Sequence, residues 1–515
     1  MKKIILPFLS LFTLLLIGQF ALAQAGLSAL PNSTITISSG SSIYANGNIT
    51  FMSPTNSGAP ASLIDRNNSN SVTASGIVSI ERFLSTGEQH FFSIPVTSAS
   101  SSLYALGNSR AYRHDETRTW DTEWVRMDAT QALSVGSGYS YGYNGEYQTI
   151  RYAGIFNTGN IAINNLLLTD NVGDAANHEG WNLIGNPYPS ALDWDQVWNF
   201  GTNNTSIYSA IYLWDYNQYR YYVPSDNIGG QVSPPVTVNN ASAIIPAMQG
   251  FFVRAKSNGA SITIPASART HNSSIIYYKK GGQVNENFLR LTVDANGISD
   301  EMVVRFLESA NDNFDGNYDA YKFFGLYYPT VPEIYSITVD QSNMAVNSLP
   351  KERLSNGIVP LGFKIGAAGT YVIKASEFNF EGMNGPVYLE DAYGTELGEA
   401  KLIELSAGEQ YTFSTVAGDF TDRFKLYFSM TPTQIQELAN ETQVKIFSYG
   451  SDVFVNIHHG STDGSILIYN MEGKLMYSEK ITGVNNRLSV QSGSGLYIVK
   501  VSNSDKTETA KVFIK

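Results

Sequence analysis

Gly138-Tyr139-Ser140-Tyr141-Gly142 spells G-x-S-x-G, the pattern of a nucleophilic serine. That chemistry needs a strand, a sharp turn and a helix to lift the hydroxyl clear of a sheet. Here the flanks are rich in Tyr and Gly and read as strand, so Ser140 is expected to be a sheet position. Glycosidase chemistry needs two carboxylates facing across a sugar. Asp193 and Asp195 flank Trp194, and Asp115-Glu116 precede Trp120, Asp121 and Glu123. Residues two apart on a short helix do not face one another. Acids beside aromatics are also ordinary in exposed β-loops. The expectation is a protein without a catalytic set.

Metal and ligand chemistry have narrower candidates. Asp312, Asp315 and Asp319 surround Gly316. Oxygens clustered around a glycine turn can hold calcium. An EF-hand would place an acid at the twelfth loop position, which counted from Asn311 is Lys322. The three aspartates are therefore read either as an irregular calcium site or as a solvated acidic turn. No other cofactor is expected. None of the six histidines has H-x-x-x-H spacing, and His458-His459 would point to opposite faces of a strand. The absence of cysteine excludes disulfides, thiol catalysis and Cys-ligated metals. Tyr212, Trp214, Tyr216, Tyr219, Tyr221 and Tyr222 gather in one segment. Rings exposed to solvent can stack on sugars, which makes Trp214 and Tyr216 the candidate glycan platform. In a sandwich, the alternate set would face the core instead.

Composition narrows the class. Only 15% of the 515 residues are charged, and the net charge is −12. Nucleic acid is disfavoured, because phosphate binding needs clustered Lys and Arg. An anionic membrane surface is disfavoured for the same reason. The abundance of Gly, Ser, Asn, Thr and Tyr suits β-structure with many tight turns.

The elements follow from periodicity. Lys2-Lys3, an apolar run from Ile4 to about Ile17, and Ala21-Leu22-Ala23 have the order of a secretory signal peptide, with cleavage expected before Gln24. The run is short for a membrane span and contains Pro7. No later stretch is apolar enough to cross a bilayer, so no transmembrane segment is expected in the mature chain. Residues 24–83 alternate apolar and polar in short strands, as in a β-solenoid or an irregular β-layer.

Residues 84–275 carry a weak duplication. Phe91-Phe92-Ser93-Ile94-Pro95, Ala111-Tyr112-Arg113-His114-Asp115, Gly138-Tyr139-Ser140-Tyr141 and Ile150-Arg151-Tyr152 recur in order. Their counterparts are Trp181 to Pro187, Ile211 to Asp215, Gly250-Phe251-Phe252-Val253 and Ile262-Thr263-Ile264, the last two pairs with the same offset of 112. The reading is a duplicated β-sandwich. A short helix, capped by Asp193 and ended by Gly201, interrupts the second copy. Residues 285–429 read as a second β-sandwich that opens with a hairpin around Asp294 to Gly297. Residues 430–442 read as a linker, and residues 443–515 as a compact β-domain. The fold class is thus all-β and multi-domain.

The tail has a specific likeness. Ile466-Leu467-Ile468-Tyr469-Asn470 with Gly473-Lys474, Gly495-Leu496-Tyr497-Ile498-Val499-Lys500-Val501, and the closing Lys511-Val512-Phe513-Ile514-Lys515 carry it. They resemble the type A C-terminal sorting domain of the Bacteroidetes type IX secretion system. Phe447-Ser448-Tyr449-Gly450 stands where that family often has Tyr-Pro-Asn-Pro. The resemblance implies an Ig-like fold, commonly removed after export. It also implies the secretion machinery as partner, and a sorting signal that includes Gly473, Lys474, Gly495, Tyr497, Lys511 and Lys515. Gly180 to Pro189, Met248 to Val253 and Gly418 to Phe424 are similar to elements of large surface proteins from the same bacteria. The resulting expectation is a secreted or cell-surface structural or adhesive protein, with a surface carbohydrate-binding protein as the alternative.

Overall fold

The computed structural model describes residues 13–16, 20–23, 26–55, 59–85, 88–106, 108–119, 122–143, 148–169, 178–215, 218–228, 231–233, 235–271, 287–295, 297–324, 331–383, 385–393, 400–435, 444–449, 452–457, 462–491, 493–504 and 507–514. The protein is all-β, in four units.

The first unit is a parallel β-solenoid with three strands per turn. Thr34–Ile37 pairs with Ser62–Asp65, Ser42–Ala45 with Val72–Ala74, and Ile49–Phe51 with Val78–Leu84, all parallel. Short strands with small polar corners permit this winding, and alternate side chains such as Ile37, Ile43, Phe51 and Leu63 fill the interior. Thr13–Leu16, Phe20–Ala23 and Leu27–Ala29 form the preceding turn. Part of the expected signal segment is therefore paired as strand. Cleavage before Gln24 would remove two of that turn's three strands.

The expected boundary at residue 83 falls inside a strand. Val78–Leu84 pairs with the solenoid on one edge and antiparallel with Gln148–Ala153 on the other. A strand has two hydrogen-bonding edges, so one segment can serve two units.

The two copies share one path. In the first, the sheet order is Glu88–Phe92, Tyr139–Tyr143, Ala111–His114, Trp124–Arg126. In the second it is Trp181–Gly185, Gly250–Arg254, Ile211–Asp215, Gln218–Val223, followed by Val236–Val238. The registers also match. Ser140 stands opposite Phe91 and Tyr112, and Phe252 stands opposite Leu183 and Tyr212. Each copy adds a two-strand pairing, Val78–Leu84 with Gln148–Ala153 and Ile161–Leu166 with Ala260–Ile264. The copies meet reciprocally. Phe92 bridges Gln249 as Ile184 bridges Ser137. The Ser93 amide donates to Met248 O, and its counterpart at Gly185 donates to Gly136 O, both at 2.9 Å. The helix Trp194–Trp198 forms as expected, with the Asp193 carboxylate accepting from the Asp195 amide.

Residues 287–428 differ from a two-sheet sandwich. They form one eleven-stranded sheet whose two end strands, Lys401–Leu405 and Gln410–Thr415, are consecutive in the chain. The sheet thus curls nearly into a barrel and buries its own inner face, including Leu291, Phe306, Phe363, Leu389 and Phe424. Its opening hairpin pairs Asn287–Ala295 with Ile298–Leu307, and Gly297 takes the positive φ, 80°, that so tight a turn demands. Tyr212 and Tyr221 of the second copy clamp this unit. Their hydroxyls accept from the Tyr321 and Phe323 amides at 3.0 Å.

The tail is a sandwich of Ig type. One sheet is Val444–Tyr449, Asp452–Ile457, Asn485–Ser489. The other is Leu475–Lys480, Gly464–Asn470, Gly495–Asn503, Thr507–Ile514. Val453, Val455, Ile466, Ile468, Val499 and Ile514 lie between them. No helix among the described residues is long and apolar enough to cross a membrane.

Candidate functional site

The tail's quoted motifs are turn and register devices. Gly473 adopts φ 81°, which a side chain would strain. Asn470 closes that turn, its Oδ1 accepting from the Glu472 and Lys474 amides at 3.1 and 2.9 Å. Lys474 is exposed beside it. Gly495 opens the strand that carries Tyr497, which is buried and donates its hydroxyl proton to Gly493 O at 2.7 Å. Lys511 is exposed on the last strand, opposite Ile498. Lys515 lies outside the described residues. Asp452 ties the first sheet together, accepting from Ser489 Oγ and Arg487, and these donors hold its carboxyl below the usual range.

The acidic turn of the third unit is spent on structure. Arg353 grips Asp312 through two bonds of 2.8 and 2.7 Å. Asp315 Oδ1 accepts from the Asn317 amide. Asp319 is fully buried, its two oxygens accepting from the Asp315 and Ser348 amides at 2.7 Å. Burial pushes its carboxyl up to about 7. The expected calcium ligands are thus not gathered around one point. Among the described residues, no three His, Asp or Glu side chains stand where one ion could be held.

Of the two candidate platform residues, Trp214 does not stand in solvent. Trp214 is buried, packed against Phe91 and Tyr219 in the core shared by the second copy and the barrel unit. Both faces of its strand are covered: Ile211 and Leu213 join the second copy's own core, and Tyr212 and Trp214 join the one shared with the barrel unit. Tyr216 lies outside the described residues.

Ser140 is buried mid-strand and accepts from Gln89 Nε2 at 2.7 Å. Asp195 accepts from the Tyr222 hydroxyl at 2.9 Å, and Asp193 caps the helix. Glu116 is buried and accepts from the Gly180 amide at 2.7 Å and the Thr169 amide at 2.9 Å. Trp120, Asp121, His458 and His459 lie outside the described residues. Ser140, Asp193, Asp195 and Glu116 are thus each engaged in a bond that holds the fold.

Two further ion pairs among the described residues are enclosed. Lys322 meets Asp300 at 2.5 Å with both side chains almost fully enclosed. Arg423 grips Asp391 through two bonds of 2.8 Å inside the barrel, and the Tyr411 hydroxyl donates to the same carboxylate. A partial signal for the second was Arg423 within the Gly418–Phe424 element. Its partner sits 32 residues upstream, and only strand pairing brings them together.

Comparison with known proteins places these units. Residues 451–515 match the secretion system C-terminal sorting domain. The chain is therefore type IX cargo of the Bacteroidetes class, bound for the cell surface or the extracellular space, and its tail engages that machinery. Over 352 residues it is 23% identical to the minor fimbrium subunit Mfa5 of Porphyromonas gingivalis, an alignment covering 64% of this chain and 27% of that protein. The model of a domain of unknown function, DUF8693, spans residues 17–428, from the first solenoid turn to the last barrel strand, so the chain belongs to the DUF8693 family and carries a type IX sorting domain behind it.

Proposed function

We propose that residues 24–435 form a non-enzymatic structural or adhesive module, delivered to the cell surface by the tail. The observation that carries this reading is the sorting domain joined to a multi-sheet passenger. In that passenger Ser140, Glu116, Asp193 and Asp195 are engaged in internal hydrogen bonds. The alignment to a fimbrium subunit supports a surface role of the assembly or adhesion kind. The order of charges and apolar residues at the N-terminus supports a signal peptide cut before Gln24. The buried position of Trp214 removes the main support for the carbohydrate-binding alternative.

Cell fractionation with and without residues 443–515 tests the reading. The full chain should be found at the surface and the truncated chain in the periplasm. Surface display of both would overturn the assignment of the tail. The adhesive role is tested by comparing attachment of cells that carry or lack the gene; equal attachment, and equal cell-surface morphology, would count against it.

A further inference from the structure

The tail's second sheet has two unlike faces. Cross-strand partners share a face, and the register therefore sorts the side chains. One face holds Ile466, Ile468, Val499, Val501 and Ile514, all buried. The other presents Leu475, Tyr469 and Ile498 in one cross-strand row and Leu496 opposite Phe513 in the next. Leu496, Phe513 and Leu475 are 49%, 52% and 47% exposed. An Ig-type domain this small gains nothing from solvating so much apolar surface, and such patches mark interaction sites.

Charge identifies the kind of partner. Lys480, Lys500 and Lys511 lie on the same outer face, paired with Ser465, Leu467 and Ile498 respectively. The acids of these strands fall on the opposite side: Glu479 pairs with the buried Ile466, and Glu508 with the buried Val501. The last 73 residues hold eight basic and six acidic side chains, a net of +2, in a chain of −12. Among the described residues, the outer face keeps Leu475, Leu496 and Phe513 about half exposed with the passenger present. The passenger touches the other sheet, where the Phe447 ring stands 5.4 Å from that of Tyr393.

We propose that this outer face, centred on Leu496, Phe513 and Ile498 and rimmed by Lys480, Lys500 and Lys511, is the docking surface by which the tail is read. Its occupant is a protein of the type IX machinery that offers an apolar patch bordered by acidic side chains. The proposal rests on the tail's role as sorting domain and names the surface that performs it. Apolar anchors at the centre supply the affinity, and the lysines orient the encounter.

The test uses the full chain in a bacterium with type IX secretion, scored by fractionation and by protease accessibility on intact cells. The Leu496→Ser/Phe513→Ser double variant should lose about ten-fold or more of its surface-exposed protein to the periplasm, as removal of two anchor side chains predicts. Its melting profile should be unchanged, since both residues are exposed. Val484→Ser, an exposed apolar residue outside that sheet, should be exported normally. Normal export of the double variant, with deletion of 443–515 still trapped, overturns the docking face and leaves the tag reading standing. Normal export of the deletion overturns the tag reading itself. Should the double variant melt early, Lys500→Glu/Lys511→Glu carries the test: periplasmic retention supports the face, and normal export overturns it.

Discussion

Gly136 and Met248 occupy equivalent places in the two copies, and both hold a left-handed backbone, with φ of 81° and 61°. Their carbonyls accept the reciprocal bonds from Gly185 and Ser93 across the interface between copies. Glycine adopts this conformation freely. Methionine does so at a cost of about 1–2 kcal/mol, offset here by full burial of its side chain in the core of the first copy. The interface between copies is thus fixed by backbone geometry that two different residues satisfy.

Substitutions at Gly136 and at nearby Gly138 should separate strain from clash. In Gly136→Ala the new Cβ meets Ile163 Cγ1 at 2.9 Å while the backbone stays left-handed. A loss of about 1–3 kcal/mol is expected. In Gly138→Ala the Cβ falls on the Ile184 carbonyl oxygen, which cannot turn aside. The larger loss should be at Gly138, read as the lower midpoint in urea unfolding.

Acid should loosen the passenger through its histidines. Burial lowers His114, enclosed by Trp124 and Phe252, to about 3, and His271, bonded to Thr36 and Ser62 of the solenoid, to about 4. His90 is likewise lowered to about 4. A base with a depressed folded pKa contributes its full stability above the unfolded value near 6.5, and loses it as pH falls toward the folded value. Asp319 runs the other way, its preference fading as pH rises toward 7. Melting temperature should therefore fall between pH 6.5 and about 4. His114→Phe, which keeps a ring in the same place, should flatten that fall; an unaltered slope would exclude His114 as a cause.

The barrel's buried ion pair should be costly to break and cheap to replace. Arg423→Met leaves the Asp391 carboxylate enclosed without its bidentate partner, with an expected loss of about 3–5 kcal/mol. Asp391→Leu combined with Arg423→Met removes both charges and should recover most of it. Chemical denaturation of the three variants gives the coupling. A double variant no better than the single one would mean the pair's bonds, and not its charges, hold the site.

The N-terminus is open to direct chemistry. Sequencing of the surface-exposed protein should begin at Gln24, so that the solenoid starts with Leu27–Ala29. A start at Met1 or beyond Leu27 would contradict the cleavage reading.

Much of the strand pattern was legible because its cause is local. Alternation placed the tail strands, the Asn-Gly turn marked the hairpin at Gly297, and Asp193 announced the one helix the sequence predicted. The duplication was legible because the two copies preserve spacing between Gly138 and Ile150, and between Gly250 and Ile262. The outer face of the tail was half visible: alternation separates Leu496 and Ile498 from Tyr497 and Val499, but not which set faces outward. The enclosure of Asp319 and Trp214 was not legible, for one shared reason. A composition of Asp, Tyr and Trp says which bonds a segment can make, and tertiary packing decides which it does make.

Residue types and their order already mark an exported class of β-protein without cysteine chemistry, tagged at its C-terminus. Those properties reside in residue types and short-range spacing, which folding does not alter. The folded chain was needed to see that Val78–Leu84 serves two units and that residues 287–428 curl into one sheet. It also decided that Trp214 and Asp319 are enclosed, and that Leu496 and Phe513 stand side by side in solvent. Each of these depends on strand pairing across long stretches of chain, and local periodicity carries no record of which edges meet.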